Sequence, residues 1–468
     1  MITYIKKSIY SSNYPAGYWL LFSCEAISRY AFWAIQSLLV LHLINNLNFS
    51  KFRAYEFIGS YIALTYSMTF VGGLIGDKLL GYFYALFIGL FSLIVGCILI
   101  LFNNKIYLLG FSFLVFGIGI VIPNITRYVG VLYDANLGLN RSRGFGTFYL
   151  ASNLGGICGP LIAGFINYYY GWQYAVASII LCYSLWLICF LFFKNIQKLK
   201  AEQPIKSYKI FLSLLLLLLS VLLMLTYQFL VSNYLIILTF SAFIYVYLSC
   251  RKLDMAAMLL YILIGLLVAL LFFTFEFQIL SSLLIFSKDF VNTRIFGVDI
   301  PVTSLVSIEP LFVVILIPSF NRVWEKKKLL PMKKLVLSMF LLGLSYCVFL
   351  VLSIFYYYVQ SPLSLLWIVI GIMFMAAGEV CLMPSLLTFI SENAPLKIKS
   401  TSFGILYITI SISGYLSSEL AKLTSVVSSH SHKSLAFILV YFMIAAICFM
   451  VAILVYVFTK RKAESYST

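Results

Sequence analysis

Residues 72–81 read GGLIGDKLLG, and this glycine-rich stretch separates two long apolar runs near 55–76 and 80–102. Because glycine has no side chain to clash, it permits a tight turn and a close approach between two helices. Asp77 can cap the helix that follows the turn or pair with a basic side chain. The stretch therefore predicts two consecutive apolar helices joined by a tight cytoplasmic turn that contains Gly73, Asp77 and Gly81.

The composition of the whole chain agrees with such apolar helices. Of its 468 residues, 63% are hydrophobic and 10% are charged, and the mean hydropathy is +1.04. A soluble domain of this length could not bury that much apolar surface. The sequence therefore predicts an integral membrane protein, whose solvent is lipid.

Apolar stretches of about 20 residues, the length of a helix that crosses a bilayer, recur along the chain. They predict an all-α membrane protein with fourteen transmembrane helices. The predicted spans are 16–43, 55–76, 80–102, 106–131, 145–169, 174–194, 210–230, 233–250, 256–286, 302–322, 334–358, 363–390, 399–424 and 434–458. The division inside 210–250 is the least clear, because only Ser232-Asn233 resembles a turn there.

The distribution of basic residues orients these spans. With the N-terminus in the cytoplasm, the inner connections carry 23 lysines and arginines and the outer ones carry 7, while Arg29 and Arg127, inside spans, complete the total of 32. Such an excess is the positive-inside pattern, so both termini are predicted to be cytoplasmic. The net charge of +17 follows from this topology and from contact with anionic lipid headgroups, so it predicts no nucleic-acid partner.

A polar connection after the sixth span divides the chain into two halves. Residues 1–194 are predicted to form an N-terminal six-helix bundle and 195–209 a cytoplasmic linker. Residues 210–250 then form an inserted transmembrane hairpin, and 251–468 form a C-terminal six-helix bundle. This arrangement is typical of two-lobed carriers, which bind substrate between the lobes at the membrane midplane.

Two charged residues, Glu25 and Arg29, lie inside the first apolar span. Four residues are about one helical turn, so the two side chains emerge on one face and can pair. An unpaired charge in hydrocarbon is unfavourable by about 3 kcal/mol on insertion scales. Such residues normally face a bundle interior or a watery cavity, and the pair therefore predicts a transport path.

Further polar motifs follow in order along the spans. They are Glu25-Ala-Ile-Ser28-Arg29-Tyr30, Phe148-Tyr149-Leu-Ala-Ser-Asn153-Leu-Gly155, Phe275-Glu276-Phe-Gln278-Ile-Leu-Ser281-Ser282-Leu283, and Gly378-Glu379 with Pro384 and Ala394-Pro395. The turn at 72–81 resembles the signature of the major facilitator superfamily. The other motifs resemble the ExxERF, FYxxxNxG, FEQxxSSL and GE patterns of the proton-dependent oligopeptide transporter (POT) family. The resemblance implies two six-helix bundles with an inserted hairpin, as in bacterial members, and proton-driven import of di- and tripeptides by alternating access.

The resemblance also implies roles for individual residues. Arg29 corresponds to the anchor of the substrate carboxylate and Glu25 to a proton-coupling carboxylate. The other implied site residues are the pocket tyrosines Tyr30 and Tyr66, the amino-end contacts Asn153 and Glu379, the altered pocket position Glu309, and the gating carboxylate Glu276.

Several positions depart from the family patterns. Ser28 replaces a second glutamate, Ile122 replaces a lysine of the fourth helix, and Gln36 stands where a basic pocket residue is frequent. Glu309, where the family usually has asparagine, adds a carboxylate to that of Glu379. A pocket that becomes more negative disfavours substrate carboxylates and favours amino groups. The sequence therefore predicts a peptide or cationic amine as the substrate.

Proton coupling has more than one candidate residue. Glu25 could take a proton from the acidic side and so release Arg29 to bind substrate. Glu276, Glu309 and Glu379 are rival proton sites. Glu309 could instead cap free backbone groups beside a proline, and Glu276 could be a gate that does not titrate.

These features predict a secondary active transporter and not an enzyme. The sequence has no GxSxG or HExxH motif and no ATP-binding GxxxxGK[ST] motif. We therefore expect no metal and no cofactor, with a proton gradient as the energy source, and a monomer in a bacterial cytoplasmic (inner) membrane. Two alternatives stay open: a carrier or exporter of a non-peptide metabolite with altered or absent proton coupling, and a sensor that binds substrate without moving it.

Overall fold

The structure is a computed structural model that describes residues 14–102, 106–134, 141–192, 208–251, 256–327, 330–393, 399–426 and 433–465. The helices within these ranges are α1 (Tyr18–Asn45), α2 (Lys51–Ile75), α3 (Gly81–Phe102), α4 (Tyr107–Asp134), α5 (Arg141–Tyr170), α6 (Trp172–Phe192), α7 (Tyr208–Thr226), α8 (Phe229–Arg251), α9 (Ala256–Glu276), α10 (Ser282–Phe290), α11 (Ile308–Lys327), α12 (Pro331–Val359), α13 (Leu365–Asn393), α14 (Lys399–Val426) and α15 (Lys433–Ser465). Most of the predicted linker at 195–209, and the motif Ala394-Pro395, lie outside the described residues.

Every predicted span overlaps a helix, so the all-α class is confirmed. In the described part of the chain, ten helical stretches are long and apolar enough to cross a membrane, and one of them, Lys51–Leu101, contains both α2 and α3. Two shorter apolar stretches, Ile210–Thr226 and Phe229–Ser241, lie in the predicted hairpin. The count of fourteen transmembrane helices stays a prediction.

The turn inside the hairpin differs from the sequence prediction. Helix α7 ends at Thr226 and α8 begins at Phe229, so the connection is Tyr227-Gln228 and the predicted turn at Ser232-Asn233 is wrong. The hydroxyl of Ser232 donates to the backbone carbonyl of Phe229 at 2.8 Å. A serine whose hydroxyl bonds to its own helix needs no turn, which is why polarity alone misplaced the break.

The chain divides into two compact units. The first contains Met1–Ile35 and Ser67–Thr226, and the second contains Gln36–Tyr66 and Tyr227–Thr468. Two of the three boundaries fall inside α1 and α2, both of which the sequence-based domains placed whole in the N-terminal bundle, and the third falls between α7 and α8. The predicted domain limits stay predictions.

Small residues set the packing of the first unit. A Cβ added at Gly96 of α3 would lie 2.8 Å from the carbonyl oxygen of Gly110 in α4, and one added at Gly117 of α4 would lie 2.8 Å from the carbonyl oxygen of Gly89. Side chains at these positions would force the two backbones apart. Glycine-lined contacts of this kind are typical of helices that associate within lipid, where van der Waals packing replaces the hydrophobic effect.

Aromatic side chains fill the centre of the second unit. Helix α12 packs along α13 and α15, and the buried rings of Tyr346, Phe349 and Tyr441 lie within 6.0 Å of one another, centroid to centroid. Four two-residue strands complete this unit: β1 (Val291–Asn292), β2 (Arg294–Ile295), β3 (Val298–Asp299) and β4 (Leu363–Ser364). Strand β1 pairs in parallel with β4, and β2 pairs with β3 in a hairpin.

Candidate functional site

In the first unit, a close crossing of α1 and α5 brings a serine against Glu25. A Cβ added at Gly155 of α5 would lie 2.5 Å from the Cβ of Arg29, and one added at Gly159 would lie 3.1 Å from the backbone nitrogen of Ala34. Gly155 and Gly159 are four residues apart, and Ser152 precedes them by three and seven, so all three lie on one face of α5. That face is therefore the one that approaches α1.

Glu25 accepts two hydrogen bonds through one of its oxygens. Its Oε1 accepts from the Nε of Arg29 at 2.8 Å and from the Oγ of Ser152 at 2.5 Å. The carboxyl group is 1% exposed, whereas the Arg29 side chain is 19% exposed. Within the described residues Glu25 Oε2 and Ser28 Oγ have no hydrogen-bond partner. The Glu25–Arg29 pair is thus present as the four-residue spacing predicted, with Ser152 as a third member.

The other predicted site residues of this unit make local contacts. The Tyr30 hydroxyl lies 3.1 Å from the Oγ of Ser178 on α6. The side-chain amide of Asn153 donates to the carbonyl of Tyr149, one turn earlier in its own helix. Ile122, at the position of the family's lysine, is buried. Ser152, the residue before Asn153, is the one that hydrogen-bonds to Glu25.

The glycine-rich turn has a π-helical turn, Gly76–Leu80, in place of a loop. Gly81 adopts a φ of +71°, a conformation that glycine takes at no steric cost. Asp77 accepts a hydrogen bond from the hydroxyl of Tyr82 at 2.8 Å, and Tyr82 accepts one from Arg127 at 3.2 Å. Asp77 thus contacts a basic residue through a tyrosine, and a Cβ at Gly73 would meet only ordinary contacts.

In the second unit, a break in the helix positions Glu276. Helix α9 ends at Glu276, a 3-10 turn covers Phe277–Leu280, and α10 begins at Ser282. The hydroxyl of Tyr346 donates to the carbonyl of Phe275 at 2.5 Å, which satisfies a backbone group at the break. Gln278 donates to the backbone carbonyl of Ser417 at 2.7 Å and so holds the 3-10 turn against α14.

Three carboxylates from three helices meet beside this break. Glu276 of α9, Glu309 of α11 and Glu379 of α13 each offer an oxygen, and these oxygens lie within 4.8 Å of one another. Glu276 and Glu309 are buried, and Glu379 is partly exposed. We call these three residues the glutamate triad. Such a group of oxygens can hold protons or bind a cation, including an ammonium group or a metal ion.

Local structure explains how Glu309 and Glu379 reach the triad. Glu309 lies in the first turn of α11, directly after the 3-10 turn Val302–Ser307. One oxygen of its carboxylate lies within 4.8 Å of an oxygen of Glu276 and of an oxygen of Glu379. A Cβ added at Gly378 would lie 2.9 Å from the ring of Phe272, so this glycine lets α13 approach α9 closely.

Two further residues of this unit were singled out by the sequence. The ring of Tyr66 lies 5.9 Å from that of Phe277, centroid to centroid, next to the helix break. Gln36 is fully buried, and neither its amide nitrogen nor its amide oxygen has a partner within the described residues. A buried amide with unmet donors and acceptors is rare and requires an explanation such as a bound ligand.

Comparisons with known proteins show the family and the fold of the chain. A family model described as PTR2, POT family, matches residues 84–437. The chain is 24% identical over 440 residues to the uncharacterized transporter YclF of Bacillus subtilis, covering 88% of each chain. It is 24% identical over 447 residues to a di-/tripeptide transporter of Lactococcus lactis, covering 87% of this chain and 89% of the relative. A crystal structure of a POT family transporter in complex with 5-aminolevulinic acid superposes with a TM-score of 0.82 at 21% identity, covering 96% of both chains. This likeness confirms the predicted fold of the major facilitator type.

Proposed function

The chain belongs to the POT family, and from that premise we propose that it is a secondary active transporter that takes up di- and tripeptides or peptide-like amines together with protons. The glutamate triad is the observation that carries the amine part of this proposal. It places three carboxylates within 4.8 Å of one another. A site of this charge attracts ammonium groups and repels carboxylates.

The Glu25–Arg29 pair supports the part of the proposal that concerns proton coupling. Glu25 is buried and hydrogen-bonded to both Arg29 and Ser152. While Glu25 is ionised, it holds the guanidinium; once protonated, it loses most of its attraction for Arg29. Arg29 is then available to a substrate carboxylate. Tyr30, Tyr66 and Asn153 are proposed pocket residues.

The remaining details of the proposal follow the topology. The transporter lies in a bacterial inner membrane with both termini in the cytoplasm, acts as a monomer, and uses the proton gradient without a cofactor. The family match and the apolar helices support an integral membrane protein. The excess of basic residues in alternate connections supports the orientation.

A second candidate function is carriage or export of a non-peptide metabolite with altered proton coupling. The observation that favours it is the loss of one charged pair: Ser28 stands in place of a glutamate, and buried Ile122 stands in place of a lysine. When both partners of an ion pair are lost together, no unpaired charge is left in the interior, so the fold tolerates the double replacement. Counterflow with labelled dipeptides in liposomes separates the two candidates, because only the first exchanges dipeptide for dipeptide.

The coupling role is tested by pH-driven uptake into liposomes that contain Glu25→Gln. We expect counterflow to persist and accumulation against a gradient to be lost, because an amide cannot carry the proton. Asp299→Asn is the matched control: Asp299 is a carboxylate in the exposed β2–β3 hairpin, 3.9 Å from Arg294. Undiminished accumulation by Glu25→Gln would rule out Glu25 as the obligatory proton site.

A further inference from the structure

The hydrogen bonds of Glu25 converge on one of its two carboxylate oxygens. Oε1 accepts from the Nε of Arg29 at 2.8 Å and from the Oγ of Ser152 at 2.5 Å. Donors to a carboxylate stabilise its ionised form, because a charged acceptor forms the stronger hydrogen bond. The positive charge of Arg29 acts in the same direction. The contacts at Oε1 are therefore those that favour an ionised Glu25.

The second oxygen of Glu25 has different surroundings. The Glu25 side chain is 1% exposed, and within the described residues its Oε2 has no hydrogen-bond partner. Ser28 follows three residues later, so its side chain lies on the same face of α1, about one turn away. Ser28 is 4% exposed, and its Oγ is also without a partner in the described part of the chain. Buried polar atoms that lack a partner are unfavourable, and here two of them lie on one helix face.

A proton on Oε2 supplies the bond that both atoms lack. Because Oε1 already accepts from two donors, Oε2 is the oxygen at which a proton taken from water can bind. The new O–H group is a donor and needs an acceptor, which a serine hydroxyl provides. The Oγ of Ser28 turns about a single side-chain torsion with three staggered positions, so it can be directed toward Glu25.

Arg29 is the charged group that contacts Glu25. Helix α1 packs against α5 at Gly155, against α6 through Tyr30 and Ser178, and against α4 through Tyr18 and Tyr133. The titratable groups near these contacts are Cys24, Arg29 and Tyr30 on α1, Tyr149 and Cys158 on α5, Cys182, Tyr183 and Cys189 on α6, and Arg127, Tyr128, Tyr133 and Asp134 on α4. Arg127 donates to Tyr82, on another helix.

We propose that Ser152 and Ser28 form a proton switch with Glu25, in which Ser152 stabilises the ionised carboxylate and Ser28 accepts the O–H of the protonated one. Both serines are positioning residues, because each acts on the proton through Glu25. The inference rests on the proposed function, in which Glu25 carries the coupling proton. It adds the two residues that determine the pH at which this proton binds.

The two serines have opposite effects on that pH. Loss of the hydroxyl at position 152 destabilises the ionised form, so the proton should bind at a higher pH. Loss of the hydroxyl at position 28 destabilises the protonated form, so binding should require a lower pH. A purely structural disturbance of the α1–α5 crossing gives no reason for shifts of opposite sign.

The test follows the carboxyl group of Glu25 by infrared spectroscopy of the purified full-length protein in liposomes. A protonated carboxyl group has a C=O band that a carboxylate lacks. The difference between each protein and its Glu25→Gln counterpart isolates the band of Glu25, and its intensity is titrated with pH in the wild type, Ser152→Ala and Ser28→Ala. Ser23→Ala is the matched control, because Ser23 lies on α1 and its hydroxyl donates to the carbonyl of Leu20 at 2.8 Å.

The titration midpoints decide the outcome. We expect the midpoint to rise by about one pH unit in Ser152→Ala, which loses a hydrogen bond to a charged group, and to fall by about half a pH unit in Ser28→Ala. Ser23→Ala should keep the wild-type midpoint. An unchanged midpoint in either test variant, shifts of the same sign in both, or a Glu25 band that does not titrate in the wild type overturns the switch.

Uptake of alanyl-alanine by the same liposomes separates this inference from the proposed function. Opposite midpoint shifts without dipeptide uptake would support the switch and contradict the transporter proposal. Proton-driven uptake that Glu25→Gln abolishes, with unchanged midpoints in the serine variants, would support the transporter and overturn the switch. Because each serine variant has its own predicted direction, failure of one to fold leaves the other as a test.

Discussion

The crossing of α1 and α5 allows one prediction to be worked through. Replacing Gly155 with alanine places a methyl group 2.5 Å from the Cβ of Arg29, where ordinary contact begins near 3.4 Å. The two backbones must therefore separate by about 1 Å, and overpacking of this kind typically destabilises by about 1–3 kcal/mol. The hydrogen bond from Ser152 to Glu25, 2.5 Å long, would be stretched by the same movement.

The destabilisation from overpacking and the destabilisation from the stretched hydrogen bond add. A hydrogen bond to a charged group contributes about 1.5–3 kcal/mol, so partial loss brings the expected destabilisation by Gly155→Ala to about 3 kcal/mol. Gly146 offers a matched control on the same helix, because a Cβ there meets no atom within 4 Å. Gly146→Ala should leave stability equal or slightly raised, since alanine is the better helix former.

The assay is the unfolding midpoint of purified protein together with uptake into liposomes. Gly155→Ala should lower the midpoint and the uptake rate, and it should do so less in a Ser152→Ala background, where the bond to Glu25 is already absent. A Gly155→Ala variant as stable and active as Gly146→Ala would refute the close crossing. An equal effect in both backgrounds would refute the coupling to Ser152.

Four other substitutions test contacts in the described residues. Gly72→Ala should destabilise, because its Cβ would clash with the backbone carbonyl of Gly119 and lie 2.7 Å from the Cα of Ile120, both in α4. Gly73→Ala, whose Cβ would lie 3.6 Å from its nearest neighbour, should be neutral, and thermal unfolding compares the two variants. Tyr346→Phe removes the hydrogen bond at the break in α9, and about 1 kcal/mol of stability should be lost in the same assay. Lys422→Met leaves Glu419 without its partner at 2.8 Å; because Glu419 is 41% exposed, we expect a loss of only about 1 kcal/mol, and an unchanged midpoint would contradict it.

Local patterns in the sequence predicted much of the fold. Each of the fourteen predicted spans overlaps a helix in the described part of the chain, because a membrane-crossing helix must be about 20 apolar residues long. The i, i+4 spacing predicted the Glu25–Arg29 pair, which forms at 2.8 Å. The turn of the hairpin was missed because Ser232 bonds within its own helix.

Contacts between segments that are far apart in the sequence could not be predicted from local patterns. Ser152 is 127 residues from Glu25, and only the packing of α5 on α1 brings them together. The small residues at 152, 155 and 159 were the available signal, since their spacing marks one face of a helix. The three members of the glutamate triad come from three separate helices, which no local pattern connects. Their positions also depend on the break after Glu276, and the prediction of one unbroken span at 256–286 missed that break.

The most direct test of the proposed function is uptake of matched dipeptides into liposomes under an inward proton gradient. Alanyl-alanine and its N-acetylated form differ in a single group, the amine that the glutamate triad would bind. We predict that the free amine accumulates and the acetylated peptide does not. Equal uptake of the two, or accumulation of neither, would contradict a proton-driven carrier that recognises its substrate through the amine.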